Sequence, residues 1–249
     1  MPKFYCVNPK SYVRTSMKTS NSGAGVKSNH GTLLMDNLPS WLEYPKRSQS
    51  IIGVTSFNTS LAFGNSRFLV IPFDGAKFGV CPSSDLWGIK CSLMDHYQFS
   101  FDDNLSNMFI DLKITDKSYD EMMSELQILY DTWMQGKSMN VPFSQRSKEL
   151  FRKMDELGFK DVREGLNNIF SPENFVPLIT VGEVDVKGFH CLNYDELLQY
   201  KKDYINSNHK EFWTDSECLL FKIDNRIGIT KEKIINSFNE MVNKYCKNK

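Results

Sequence analysis

An α+β fold is what this sequence predicts, and three observations carry that expectation. Short apolar runs of strand length gather between residues 50 and 80. Stretches with apolar residues three and four apart fill the middle of the chain, from about 118 to 170. Strand-like runs then return at Val176–Val186 and Phe212–Ile223, ahead of an amphipathic closing helix. Read together, these give one domain over residues 1–249, with a helical insertion at about 93–172.

The elements follow in order. Lys3–Val7 is a β-prone run closed by Asn8-Pro9, and Tyr12–Ser16 alternates as an edge strand does, which sets Arg14 near the start of the first sheet. Residues 18–31, rich in Ser, Asn and Gly, predict a loop suited to ordering on a ligand. Leu33–Leu42 is a short apolar element broken at Pro39. Pro45-Lys46-Arg47 is a basic entry into the next strand, with both charges predicted at the surface. Ser50–Val54 runs into a hydroxyl corner, Thr55-Ser56. After it come a short helix around Leu61–Gly64, a strand at Phe68–Phe73, a turn at Asp74-Gly75 and a strand at Lys77–Val80. A corner of that kind sets two hydroxyls and free backbone groups at the mouth of a sheet, a cradle for a polar ligand.

Cys81–Trp87 predicts a turn and then a helix start capped by Ser84 or Asp85, and residues 93–118 read as irregular, acidic and aromatic. From Ser118 to Gln135 the apolar residues Met122, Met123, Leu126, Leu129, Tyr130 and Trp133 define one helix face, and Ser118 with Glu121 forms a capping-box pattern. Gln145–Leu157, stopped by Gly158, and Val162–Phe170, stopped by Ser171-Pro172, are two further helices. Tyr194–Tyr204 and Lys231–Tyr245 complete the helical set.

Composition narrows the function. The 249 residues are 41% hydrophobic, enough for a sizeable core, and 30 Lys+Arg balance 30 Asp+Glu, which argues against a strongly basic nucleic-acid binder. Six cysteines form no CxxC pair, several of them sit in apolar runs as small hydrophobes, and the expectation is a reducing, intracellular compartment. No run approaches the roughly 18 apolar residues of a membrane helix and the N-terminus carries no signal-peptide pattern, so the expectation is a cytoplasmic protein without a membrane partner. Phosphate-loop, dinucleotide-fold, zinc-protease and nucleophile-elbow motifs are missing. His30, His96, His190 and His209 lack ligand spacing, so no metal is expected and each histidine reads as a surface or capping residue. What remains is dispersed: Arg14, the Thr55-Ser56 corner, and Asp215-Ser216-Glu217 running into Cys218-Leu219-Leu220. On a continuous strand Asp215 and Glu217 point to one face. Such an acidic face is either solvated at an edge or functional.

In this order, the aromatic-x-Arg of the first strand (Tyr12-Val13-Arg14), the hydroxyl corner with Ala62 six positions after Ser56, and the late Asp-x-Glu resemble the mono-ADP-ribosyltransferase family, in its Arg / Ser-Thr-Ser / Glu-x-Glu group that includes cholera-like toxins. Val54 stands where that family has its first hydroxyl, and Asp215 where it has Glu or Gln. The resemblance implies a split β-sheet core and NAD+ as substrate. It implies that Arg14, with Thr15, holds the NAD+ phosphate or ribose, that Thr55 and Ser56 line the nicotinamide-ribose side, and that Phe57 walls the nicotinamide, with Phe63 more suited to core packing. Glu217 would stabilise the oxocarbenium-like transition state and Asp215 would face the acceptor. The implied activity is transfer of ADP-ribose to a protein side chain or a nucleic-acid base, as in toxins of phage–host conflict, with an antitoxin or inhibitor protein as a partner. NAD+ glycohydrolysis, or a non-catalytic phage binding or structural protein on the same scaffold, are the alternatives.

Overall fold

A computed structural model describes residues 4–7, 30–56, 67–86, 89–94, 97–101, 103–115, 117–136, 143–176, 186–204, 209–223 and 229–246. In chain order the elements are β1 (Phe4–Val7), α1 (His30–Asn37), β2 (Ile51–Val54), β3 (Arg67–Pro72), β4 (Lys77–Val80), β5 (Lys90–Met94), β6 (Tyr97–Ser100), α2 (Asp103–Asp111), α3 (Tyr119–Met134), α4 (Gln145–Glu156), α5 (Val162–Ile169), β7 (Phe175–Val176), β8 (His190–Asn193), α6 (Tyr194–Tyr204), β9 (Glu211–Thr214), β10 (Cys218–Ile223) and α7 (Lys231–Cys246). The strands form three small antiparallel sheets, ordered β1-β10-β3, β2-β9-β4-β8 and β6-β5-β7. Helices and antiparallel strands together make the chain an α+β protein, as the sequence predicts.

Each sheet buries an apolar face against a different partner. The largest core joins α1 to α5 with Trp41, Cys91, Phe101, Phe175 and Phe189, and Trp213 of β9 enters it from the four-stranded sheet. The far face of that sheet carries Phe78, Val80 and Phe212 against Leu197 and Tyr200 of α6. In the first sheet Leu219, Phe221 and Ile223, alternate residues of β10, meet Ile234 and Phe238 of α7. Two indoles are pinned by their N–H groups as well as by area: Trp41 donates to the Phe170 carbonyl at 2.8 Å and Trp213 to the Pro45 carbonyl at 2.9 Å. Close approach of backbone makes room for the rings of β9. A Cβ on Gly79 would collide with the Trp213 ring, and one on Gly53 with Phe212 on the other face.

Helix starts behave as their sequences dictate. Ser118 and Glu121 close a reciprocal capping box on α3, Ser144 accepts from Ser147 N–H at the head of α4, and Asp161 accepts from Arg163 and Glu164 N–H at the head of α5.

Several expectations need correction. Residues 93–118 are not irregular: they hold the end of β5, β6 and α2, where Leu105, Met108 and Phe109 at helical spacing are fully buried. The Pro82–Ser84 bends lead into a 3-10 start at Leu86, and Ile89 N–H closes on the Leu86 carbonyl at 3.1 Å before the chain enters β5. His30 and Gly31, placed in the loop by composition, open α1 and are buried. Arg47 is not a surface cation but 3% exposed. The run Phe212–Ile223 is two strands in two sheets, β9 and β10, broken at residues 215–217. Of the strand expected at Val176–Val186, only Val176 lies in β7; residues 177–185 lie outside the described set, as do the edge strand at Tyr12–Ser16 and the short helix at Leu61–Gly64.

Candidate functional site

The corner at residues 215–217 is built by hydrogen bonds that turn the chain from one sheet into the next. Thr214 Oγ1 donates to the Lys77 carbonyl at 2.7 Å and accepts from Ser216 N–H at 3.2 Å. Lys77 N–H donates to Ser216 Oγ and Phe73 N–H to the Glu217 carbonyl, both at 3.4 Å. Lys46 N–H reaches Asp215 Oδ2 at 3.4 Å. Asp215 is half-buried and Glu217 exposed. Because the three residues bend rather than extend, the strand alternation that would align the two carboxylates does not apply here. Lys77 Nζ, 3.0 Å from Glu43 Oε2, brings an ion pair to the same exposed edge.

The hydroxyl corner lies at the other end of the same strand pair. β2 and β9 run antiparallel with Ile51 opposite Thr214 and Val54 opposite Glu211. Thr55 N–H donates to the Lys210 carbonyl at 3.0 Å, and Lys210 N–H donates back to Thr55 Oγ1 at 2.9 Å, so the Thr55 hydroxyl extends the ladder by one rung. Behind it Glu211 is buried. Its carboxylate pairs with Arg47 Nη2 at 2.6 Å and accepts from Leu86 N–H at 3.1 Å. The Arg47 guanidinium lies 5.4 Å from the Trp213 ring centre. Lys210 Nζ donates to the Pro82 carbonyl at 2.7 Å, and the Glu211 backbone bonds Cys81 and Ser83. Burial pushes the Cys81 thiol well above its ordinary range, with the Glu211 charge adding to the effect.

Thr55 and Ser56 are therefore not brought together with Asp215 and Glu217. At about 3.3 Å per residue, the strand from Lys210 to Asp215 holds Thr55 roughly 16 Å from the acidic corner. Ser56 follows Thr55 at the far end, while Asp215 and Glu217 stand at the near one. Arg14, Thr15, Phe57, Ala62 and Phe63 lie outside the described residues. Sequence reading missed the Arg47–Glu211 pair, whose only signal is an Arg and a Glu flanking apolar strands. It also missed a cleft of about 510 Å³ between β8 and α6, lined by His190, Tyr200 and Tyr204 among others. His190, expected at the surface, is half-buried, and burial holds its imidazole below the ordinary 6.5 although a hydrogen bond to the Lys187 backbone opposes the shift. Among the described residues no cluster of three metal-binding side chains forms, and no helix is long and apolar enough to cross a membrane.

No protein-family model, no curated protein and no solved structure matches this chain.

Proposed function

We propose that the chain transfers ADP-ribose from NAD+ to a macromolecular acceptor, a protein side chain or a nucleic-acid base, with Glu217 as the catalytic carboxylate. The observation that carries the proposal is the position of Asp215-Ser216-Glu217. The late acidic motif of the resemblance falls on the corner through which the chain passes from one antiparallel sheet to another, and Glu217 is open to solvent there. The neighbouring strand supports it: β1 ends with Val7 opposite Cys218, the residue that follows Glu217.

In the reaction the bond from the ribose anomeric carbon to the nicotinamide nitrogen breaks, and nicotinamide departs with the electron pair. An acceptor nucleophile bonds to that carbon and gives up its proton. Positive charge grows on the sugar as the bond lengthens, and a fixed carboxylate beside it lowers the barrier. Asp215, two residues away, takes the acceptor side and receives the proton. Thr55 and Ser56 are left out of this arrangement, because the Thr55 hydroxyl is committed to the Lys210 amide at the other end of β9.

The test is incubation of the purified chain with NAD+ labelled in its ADP-ribose part, in the presence of protein, RNA and DNA acceptors. Label on an acceptor supports transfer. Glu217→Gln is expected to lower transfer by about a hundredfold or more with the fold retained, and near-normal turnover in that variant overturns the assignment. Arg14→Ala is expected to weaken NAD+ binding by calorimetry. Free ADP-ribose as the main product points to hydrolysis. A second reading, a non-catalytic binding or structural protein, is favoured by the separation of Thr55 from Asp215; the absence of any turnover decides for it.

A further inference from the structure

Lys77 is fixed at its root and free at its tip. Both of its backbone groups are taken by hydroxyls of the acidic corner. Its N–H donates to Ser216 Oγ at 3.4 Å, and its carbonyl accepts from Thr214 Oγ1 at 2.7 Å. From that root the side chain runs into solvent, 55% exposed, and its ammonium ends 3.0 Å from Glu43 Oε2. The Glu43 side chain is 83% exposed, while its backbone is held: the Glu43 carbonyl accepts from Cys191 Sγ at 3.1 Å. Two anchored residues thus meet only through flexible, hydrated ends. A pair of that kind contributes little and separates readily.

The pair stands in a surplus of negative charge. Burial pushes the half-buried Cys191 thiol above its ordinary range; Lys77 opposes that shift, and Glu43, Glu196 and Asp215 add to it. Around this thiol three carboxylates therefore face one ammonium. Glu217, exposed and next to Ser216 in the chain, adds another negative charge. Lys46 also borders the corner through its N–H, but its charge acts on Asp36 of α1. Lys77 is the cation rooted in the corner's own hydroxyls. An NAD+ whose ribose reaches Glu217 carries its pyrophosphate one sugar away. Two negative charges brought to such a rim are repelled unless a cation meets them.

We infer that Lys77 binds the pyrophosphate of the dinucleotide, giving up Glu43 for a phosphate oxygen as NAD+ enters. Glu43 holds the lysine beside the corner until then, and afterwards its carboxylate stays in water, where it needs no partner. Lysine suits the exchange, because its ammonium is a point charge on a flexible four-carbon stem and swings between acceptors without a fixed fork geometry. The inference rests on the transfer reading and adds a phosphate contact to the one expected of Arg14.

The experiment titrates the full chain with NAD+ by calorimetry, at low and at high salt, for the wild type, Lys77→Met and Glu43→Gln. Lys77→Met keeps the stem and deletes the charge. It is expected to weaken NAD+ about three- to tenfold and to lessen the loss of affinity on adding salt. Glu43→Gln frees the lysine and is expected to tighten NAD+ about two- to fivefold. Melting temperatures are expected to stay unmoved, since both side chains are exposed. The opposite signs separate an exchange from a merely structural ion pair, whose two ends weaken binding alike. Wild-type affinity in Lys77→Met, or affinity at or below the wild type in Glu43→Gln, overturns the exchange. A wild type that binds no NAD+ overturns the transfer reading and this inference together. NAD+ binding indifferent to both variants, with turnover lost in Glu217→Gln, overturns this inference alone.

Discussion

The two ends of the β2–β9 pair hold the same kind of side chain and treat it in opposite ways. At one end Glu211 is 3% exposed and bound to Arg47 and the Leu86 amide, with the Thr55 hydroxyl sealing the ladder beside it. At the other, Asp215 and Glu217 sit on a bend, the first half-buried and the second in solvent. A carboxylate withdrawn from water needs a compensating charge, and once tied to one it is a strut. Only an acid that a substrate can reach is available for chemistry. The strand thus separates a structural acid from two candidate chemical ones, and a motif read along the chain does not distinguish them.

The contrast can be broken from either end. The largest expected effect is at the closed end: Arg47→Ala strands the Glu211 charge and is expected to cost about 3–5 kcal/mol in urea unfolding, whereas a loss under about 1 kcal/mol would show the pair to be solvated. Gly79→Ala, which drives a methyl group into the Trp213 ring, is expected to cost about 1–3 kcal/mol in the same measurement. Thr55→Val removes the acceptor of the Lys210 amide, for about 1–2 kcal/mol; if it abolished NAD+ turnover in a folded protein, the two ends would belong to one site after all. Glu217→Gln is expected to shift stability by no more than about 0.5 kcal/mol, as at any exposed position, and to act on turnover alone. A smaller signal comes from His190. Its folded-state titration lies below the ordinary 6.5, so the unfolded chain binds the extra proton first. Stability is complete above about 6.5 and falls as pH drops below it, and His190→Gln is expected to flatten that slope in melting curves taken between about pH 7.5 and 5.

Much of the helical part was legible because its signals are local. Ser118 and Glu121 cap the helix three residues apart, and the boundaries of α4, α5, α6 and α7 fall within a residue or two of where periodicity and stop residues set them. β2, β3 and β4 were equally readable from apolar runs and the Asp74-Gly75 turn. Residues 97–111 were not, because Asp102-Asp103-Asn104 reads as an acidic loop until Leu105, Met108 and Phe109 are seen to fall on one buried face. The break at 215–217 hid inside a single strand-like run, since nothing in Thr-Asp-Ser-Glu forbids extension; the bend is imposed by Thr214 and Ser216 binding Lys77 from another strand. The fate of Glu211 was equally invisible, because its partners come from residues 47 and 86. Sites made of distant segments depend on register, which apolar patterning sets only when the partner strand is known.

Among the described residues β1 has one strand neighbour, β10, and meets it with Phe4 opposite Phe221. β1 must therefore wait during synthesis for a partner encoded roughly two hundred residues later. At synthesis rates of about 5–20 residues per second, that is a delay of about 10–40 s. During that interval the apolar segment Phe4–Val7 lacks the β10 ladder it joins in the folded protein.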